Sequence, residues 1–392
     1  MSDAPAAPPR RAPLRSDAEW RAIVGAFALN GLLFGAWAAR VPAFKDRLAL
    51  DPGTLGLLLL ALAGGAILSF PVAGALSERW GASRLTLRCA WAYAPALVLL
   101  GLAPSVWTLG AALLLFGALH GAMDVAMNGW GAVVEDRLGR STMSVFHAMF
   151  SLGAGLGAAS GFLAVRAGLG PETHFLIVAS IGGAAALAVL QPAAGRDGPR
   201  ADRPAPPLVA IPSGRLALVG LIAFAVSMGE GAMADWSAVF LRLAAAATDA
   251  QAALGYAAFS ATMVAMRLAG GQVTDRLGAV ATVRLSGVIA FAGLVVAIAG
   301  GTVPVVLLGF ALTGVGYAVV MPLVFSRAAR DPGTASGPAI ASVATLGYGG
   351  MLLGPPAIGF VAEFTGMRLS FLLLAALALL ATALAGKLRV GS

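Results

Sequence analysis

Apolar runs of about 20 residues, the length that crosses the hydrocarbon of a bilayer, recur at intervals of about 31 residues from Trp20 to the end of this chain. Twelve such runs use up the 392 residues and leave no stretch long enough for a separate water-soluble domain. Charged residues make up only 11% and apolar residues 59% of the chain, whereas an ordinary soluble domain carries roughly a quarter charged residues. A backbone surrounded by hydrocarbon must satisfy its hydrogen bonds internally, so each run is expected to be a helix. The fold class that follows is an all-α membrane protein with twelve transmembrane helices.

The runs are placed at 21–40, 53–77, 85–103, 106–133, 142–166, 173–191, 215–241, 252–272, 281–300, 303–325, 338–363 and 369–387. Residues 1–20 are rich in Ala, Pro and Arg, with too few apolar groups to nucleate a core, and read as a disordered cytoplasmic tail. The segment from Arg21 runs about a full span before Arg40, which suits a permanent anchor better than a cleaved leader. Only one connection is long. Residues 192–214 are rich in Pro, Gly and Arg, the composition of a flexible linker, and divide the chain into bundles at 21–191 and 215–392.

Orientation follows from the basic residues. Of the 26, six (Arg40, Lys45, Arg47, Arg166, Arg242, Arg368) fall on the outward side if the amino terminus is cytoplasmic; Arg267 lies within a span, and the remaining nineteen are cytoplasmic. Basic loops stay in the cytoplasm, so both termini are expected inside a cell (inner) membrane. The same dispersal explains the net charge of +8 as a topology signal and argues against nucleic acid as a partner. A single cysteine, Cys89, excludes an internal disulfide, and no Cys/His spacing fits a metal or haem. No phosphate-binding Gly-x-x-x-x-Gly-Lys-Ser/Thr loop is present, and no nucleophile and base sit on facing helices. The chain is expected to be no enzyme, to use no cofactor, and to act as a monomer.

The loop after the second run, GALSERWG from Gly74 to Gly81, returns after the eighth as GQVTDRLG from Gly271 to Gly278, 197 residues on and close to half the chain. Ser151-Leu-Gly and Thr345-Leu-Gly repeat at nearly the same offset, which points to a duplicated six-helix unit. GALSERWGASR resembles the signature loop of the major facilitator superfamily, Gly-x-Leu-x-Asp-Arg-x-Gly-Arg-Lys, with Glu78 in place of the usual aspartate. The segments Gly117–Asn128, Val145–Gly157 and Met228–Arg242 look like its YbjJ-like bacterial branch. The resemblance implies two pseudo-symmetric six-helix bundles that rock about a midplane site. It also implies that Gly74, Glu78, Arg79 and Gly81, with Gly271, Asp275, Arg276 and Gly278, form gating loops that latch the halves in one state.

Ionisable groups in hydrocarbon cost on the order of 2.5–3.5 kcal/mol each on insertion scales, so their positions are informative. They gather on the first helix of each triplet: Asn30; His120, Asp124 and Asn128; Glu230 and Asp235; Thr313 and Tyr317. His120, Asp124 and Asn128 are spaced i, i+4, i+8 and share one helix face. Asp124 beside His120 is expected to be the proton-coupling site, with Glu230 as a second. Asn30 and Glu230 coincide when the halves are overlaid and are expected to face each other across the axis. Asp235 is expected either at the cavity wall beside Trp236 or paired with Arg242, and Trp37 and Tyr317 to stack on a solute. Asn30, Trp37, Asn128, Glu230, Asp235 and Tyr317 together form the expected solute site. Arg267 is expected to snorkel to headgroups, and His147 to join Asp124 or to be packed in the core.

Glycines at 153, 155, 157 and 161, and at 347, 349, 350 and 354, would let helices approach closely, and Pro355 and Pro356 would kink the eleventh span. The functional expectation is a secondary transporter, proton-coupled, moving a small polar solute such as a sugar-like or organic metabolite by alternating access. Efflux of amphipathic compounds and a non-transporting membrane receptor remain the alternatives.

Overall fold

The computed structural model describes residues 15–138, 142–196, 212–334 and 336–389. Among them the chain folds into thirteen α-helices and two short 3-10 turns, with no strands. In the first half these are α1 (Arg15–Arg47), α2 (Pro52–Trp80), α3 (Ala82–Gly101), α4 (Val106–Leu138), α5 (Met143–Arg166) and α6 (Pro171–Leu190). The second half contains α7 (Gly214–Ala245), α8 (Asp249–Leu277), α9 (Ala279–Ala299), α10 (Val303–Tyr317), α11 (Val320–Ala329), α12 (Ser336–Thr365) and α13 (Met367–Leu384). α10 and α11 are two pieces of one span, so thirteen helices make twelve crossings. Ten are long and apolar enough to cross a membrane by length and composition. The outer surface agrees: Leu68 is 71% exposed, Ile181 69% and Trp107 88%, a degree of apolar exposure that water does not tolerate over a whole surface. The protein is a multi-pass membrane protein.

Several boundaries differ from the sequence expectation for local reasons. α1 begins at Arg15, so residues 15–20 belong to the first helix; the rest of the expected tail lies outside the described residues. It also runs on to Arg47 instead of stopping at Arg40. Arg40 is only 4% exposed and donates to the Leu169 carbonyl at 2.7 Å, while Arg47 donates to the carbonyls of Gly101 and Ala103 at the end of α3. These arginines extend the helix because they serve as donors for other chain ends. The tenth span breaks at Ala318–Val319 because Pro322 has no amide to offer the Ala318 carbonyl. α12, in contrast, stays continuous through Pro355 and Pro356. Of the expected linker, Pro192 and Ala193 form a 3-10 turn, and residues 197–211 lie outside the described residues.

Small residues set the helix spacing. A Cβ at Gly35 would run into the Ala154 carbonyl, 2.7 Å from its carbon, and one at Gly157 would lie 2.7 Å from the Ala36 amide, so α1 and α5 touch backbone to backbone. Gly155 meets Ser260, and Gly161 meets Ala253, which carries α5 across to α8 in the other half. Gly350 and Gly354 seat α12 on Phe224 and Met228 of α7. The two bundles meet along α5 with α8, α2 with α12, and α1 with both α7 and α8. The loop glycines serve the backbone instead: Gly81 (φ 90°) and Gly278 (φ 76°) end α2 and α8 in a conformation that other residues resist.

Gly157→Val should therefore abolish the monodisperse peak in size-exclusion chromatography of detergent-extracted protein. Gly74→Val, at a position with open space around it, should leave that peak intact.

Candidate functional site

The costly polar groups lie where the halves face each other, and they form cross-half contacts at three levels. At one end, Arg242 of α7 pairs with Asp46 of α1 at 2.9 Å and also with Asp249 at the start of α8. One guanidinium thus ties both halves. On the same side, Gly359 of α12 packs on the Gly56 Cα of α2, where a Cβ would lie 3.2 Å away. This end is closed. At the Glu78/Asp275 end, every ion pair among the described residues stays within one half: Arg137 with Glu19, and Arg327 with Asp331. Glu78 and Arg79 make no cross-half pair with Asp275 and Arg276 among the described residues, and a Cβ added at Gly74 or Gly271 would point into open space. Among the described residues no ion pair ties the two signature loops together, in contrast to the Asp46 end.

At mid-depth, Arg267 of α8 is paired with Glu230 of α7 at 3.3 Å. The same guanidinium crosses the boundary to donate to Ser151 Oγ at 2.6 Å and to the His147 carbonyl at 3.3 Å, both on α5. This corrects the expectation that Arg267 snorkels to the headgroups. It lies ten residues before the end of α8, about 15 Å along the axis, beyond the reach of its side chain. With side chains only 11% and 20% exposed, Arg267 and Glu230 neutralise each other locally. His147 accordingly does not join Asp124; its ring packs edge-on to Phe27 at 5.2 Å.

The third contact belongs to Asp124 on α4. Asn128 donates to its Oδ1 at 3.0 Å, and the Tyr348 hydroxyl of α12 donates to its Oδ2 at 3.5 Å from the other half. Tyr348 is itself held against Phe70 of α2, ring centroids 4.8 Å apart. Among the described residues Asp124 has no cationic partner. His120, one turn away, bonds Tyr93 of α3 at 3.0 Å through Nδ1 and stacks on Phe34 at 5.1 Å, so the expected Asp124–His120 pair is not made. Phe34 also meets Tyr256 of α8 edge-on at 6.4 Å, an aromatic contact across the boundary.

Four other expectations need correction. Asn30 does not face Glu230: it is fully buried, donating toward the His120 carbonyl and Met127 Sδ of α4. Trp37 and Tyr317 are 0% and 1% exposed, closed in by their own bundles, and so present no ring to the central space. Tyr317 packs on Gly229, where only a missing side chain makes room for it. Asp235 is 6% exposed and does not pair with Arg242, which is engaged by Asp46 and Asp249. The residues that sequence reasoning missed are Asp46, Ser151 and Tyr348. All four tyrosines of the chain lie in the apolar runs, and Tyr93 and Tyr348 bond the polar groups of α4. A phenol inside a span was the available signal.

Two helical bundles meeting around a polar midplane, tied across the boundary by an ion pair at one end, fit a transport protein, and comparisons with known proteins agree. A family model described as Major Facilitator Superfamily matches residues 22–348 and 247–391. An uncharacterized transporter, y4wD, of Sinorhizobium fredii (strain NBRC 101917 / NGR234) is 44% identical over 371 residues, covering 94% of this chain and 98% of that one. An uncharacterized MFS-type transporter of Yersinia pestis is 35% identical over 88% of this chain and 89% of its own. Membrane protein MosC of Rhizobium meliloti is 32% identical over 91% and 86%. Among solved structures, a mutant of the nucleoside transporter NupG superposes with a TM-score of 0.76 at 14% identity, covering 95% of this chain and all of that one. The human organic anion transporter MFSD10 (TETRAN) gives 0.67 at 18%, over 97% of this chain and 100% of its own. The chain belongs to the Major Facilitator Superfamily. It is a membrane transporter of small-molecule solutes, and not an enzyme.

Breaking one partner of a shielded ion pair leaves a charge stranded, at a cost of about 3–5 kcal/mol when burial is complete, whereas removing both is often neutral. Glu230→Gln and Arg267→Gln should each lower the thermal unfolding midpoint in detergent, and the double variant should recover most of the loss. Additive losses would contradict the pairing.

Proposed function

We propose that this chain is a proton-coupled secondary transporter that moves a small polar solute by alternating access. In this reading it acts as a monomer in the inner membrane, with both termini cytoplasmic and no nucleic-acid partner, and belongs to the YbjJ-like branch. The observation that carries the proposal is Asp124: an intramembrane carboxylate with neutral partners only, one of them supplied by the opposite half. A carboxylate without a counter-charge in low dielectric gains most from taking up a proton. A protonated Asp124 is a weaker acceptor for Tyr348, and losing that contact frees α12 from α4. Proton uptake is thereby linked to separation of the halves.

On the solute side, Glu230 Oε1 has no hydrogen-bond partner among the described residues and offers an acceptor beside the guanidinium of Arg267. Asn128, fixed by Asp124, supplies amide chemistry on the facing half. A solute hydroxyl or amide group matches these donors and acceptors. The 19-to-6 bias of basic residues supports a Glu78/Asp275 end that faces the cytoplasm. The gating loops then close in the alternate state, bringing Glu78 and Arg79 toward Asp275 and Arg276.

Proteoliposomes loaded with a solute panel under a pH gradient of either polarity test the proposal. One proton coupled to one solute sustains about tenfold accumulation per pH unit, since a unit is 1.36 kcal/mol. Asp124→Asn is expected to abolish accumulation while preserving solute exchange. Accumulation retained in that variant would overturn the assignment of Asp124, and solute binding without counterflow would favour a receptor.

A further inference from the structure

Away from the central site, a groove of about 720 Å³ opens on the outer wall of the second bundle, where α8 ends, α9 begins and the 3-10 turn Ala385–Leu388 closes the chain. That size lies within the roughly 300–1,000 Å³ of sites that hold small ligands. Its lining is divided by chemistry. Leu277, Val280, Leu285, Val288 and Leu388 form an apolar trough, with Arg284 standing in it and Arg389 at its rim in the lining. Leu277, Leu285 and Val288 are 48%, 47% and 48% exposed, so the trough faces the bilayer, not the space between the halves.

Arg284 is the sixth residue of α9, about 9 Å along a helix whose flank is hydrocarbon. It is exposed and makes no hydrogen bond or ion pair among the described residues. Its guanidinium rests over the terminal turn, with Nη2 3.9 Å from where a Cβ on Gly386 would lie, and Lys387 follows in the same turn. A guanidinium at this depth reaches the headgroup level along its apolar stem, where it attracts an anion that comes with its own apolar chains. Asp275 is the acidic group of the adjoining loop and does not pair with it.

The first bundle shows what fills the corresponding place. There the residue before the loop glycine is Trp80, with Arg88 of α3 stacked 4.1 Å over its ring. Ser83, the counterpart of Val280, accepts from the Gly195 amide at 2.8 Å and holds the segment that follows α6 against the start of α3. In the second bundle Leu277 and Val280 replace Trp80 and Ser83, and Arg284 stands one residue earlier in its helix than Arg88 does. The ring is missing, and a cation faces the trough.

We infer that this groove binds an anionic phospholipid, its phosphate on Arg284 and its acyl chains along Leu277, Leu285 and Val288. The inference is independent of the transported solute and of proton coupling. It is tested by native mass spectrometry of the full chain, extracted in detergent doped with either phosphatidylglycerol or phosphatidylcholine. One phosphatidylglycerol should remain per chain, with phosphatidylcholine lost. Arg284→Gln should lower retention about fivefold, as expected for one basic contact at an anionic headgroup. Leu277→Trp, which restores the ring of the first bundle and keeps every charge, should lower it as well, and Arg88→Gln should not. Equal retention of the two lipids, or unchanged retention in both groove variants, would overturn the inference. So would retention that rises on deletion of residues 197–211, because the occupant would then be the chain's own linker.

Discussion

A charge placed in hydrocarbon needs a counter-charge or hydrogen bonds, and at the boundary of this chain three such groups take part of theirs from the opposite half. Arg267 belongs to α8 but completes its bonding on Ser151 and His147 of α5. Arg242 belongs to α7 but reaches Asp46 of α1. Asp124 belongs to α4 but takes its second donor from Tyr348 of α12. The polar groups are therefore the reason the halves hold together and also the reason they can part. Packing between them combines small residues, as at Gly155, Gly161 and Gly359, with the aromatic contacts Phe34–Tyr256 and Phe70–Tyr348.

This arrangement explains the asymmetry of the two ends. At the Asp46 end, one guanidinium shared by two carboxylates, one in each half, closes the boundary. At the Glu78/Asp275 end, ion pairs among the described residues stay inside a half, so no salt bridge among them opposes separation. Because the two loops are copies, whatever draws them together must act on both halves at once. The mid-depth contacts of Arg267 and Asp124 lie between the two ends, where a change in charge or in bonding alters the balance.

Much of the architecture was legible in the sequence because it rests on periodic signals. Twelve apolar runs and the repeated GALSERWG and GQVTDRLG loops require only composition and spacing. The repeat also marked Gly81 and Gly278 as loop residues, without showing that each ends a helix at positive φ. The site was only half legible. Asp124 and Glu230 could be chosen by their cost in hydrocarbon, but cost does not name a partner. Arg267 was misjudged because the end of α8 was placed five residues early, which brought a mid-span charge within apparent reach of the surface. Asn30 was misjudged because overlaying the halves aligns positions along the axis, whereas the rotation of α1 that buries Asn30 against Met127 depends on packing with α4 and α5. Pro322 did break its span, by removing a backbone donor, while Pro355 and Pro356 were absorbed within α12.

The central claim is that cross-half bridges lock this transporter closed at the Asp46 end and that the opposite end closes when they break. Pulsed electron paramagnetic resonance on the full chain in nanodiscs measures this directly, with Cys89 replaced by Ser and spin labels at positions 102 and 243 near one end and 79 and 276 at the other. In an Arg242→Ala background the account expects a new population with a longer 102–243 distance and a shorter 79–276 distance. Distances that stay as in the wild type, or that lengthen at both ends together, would contradict it.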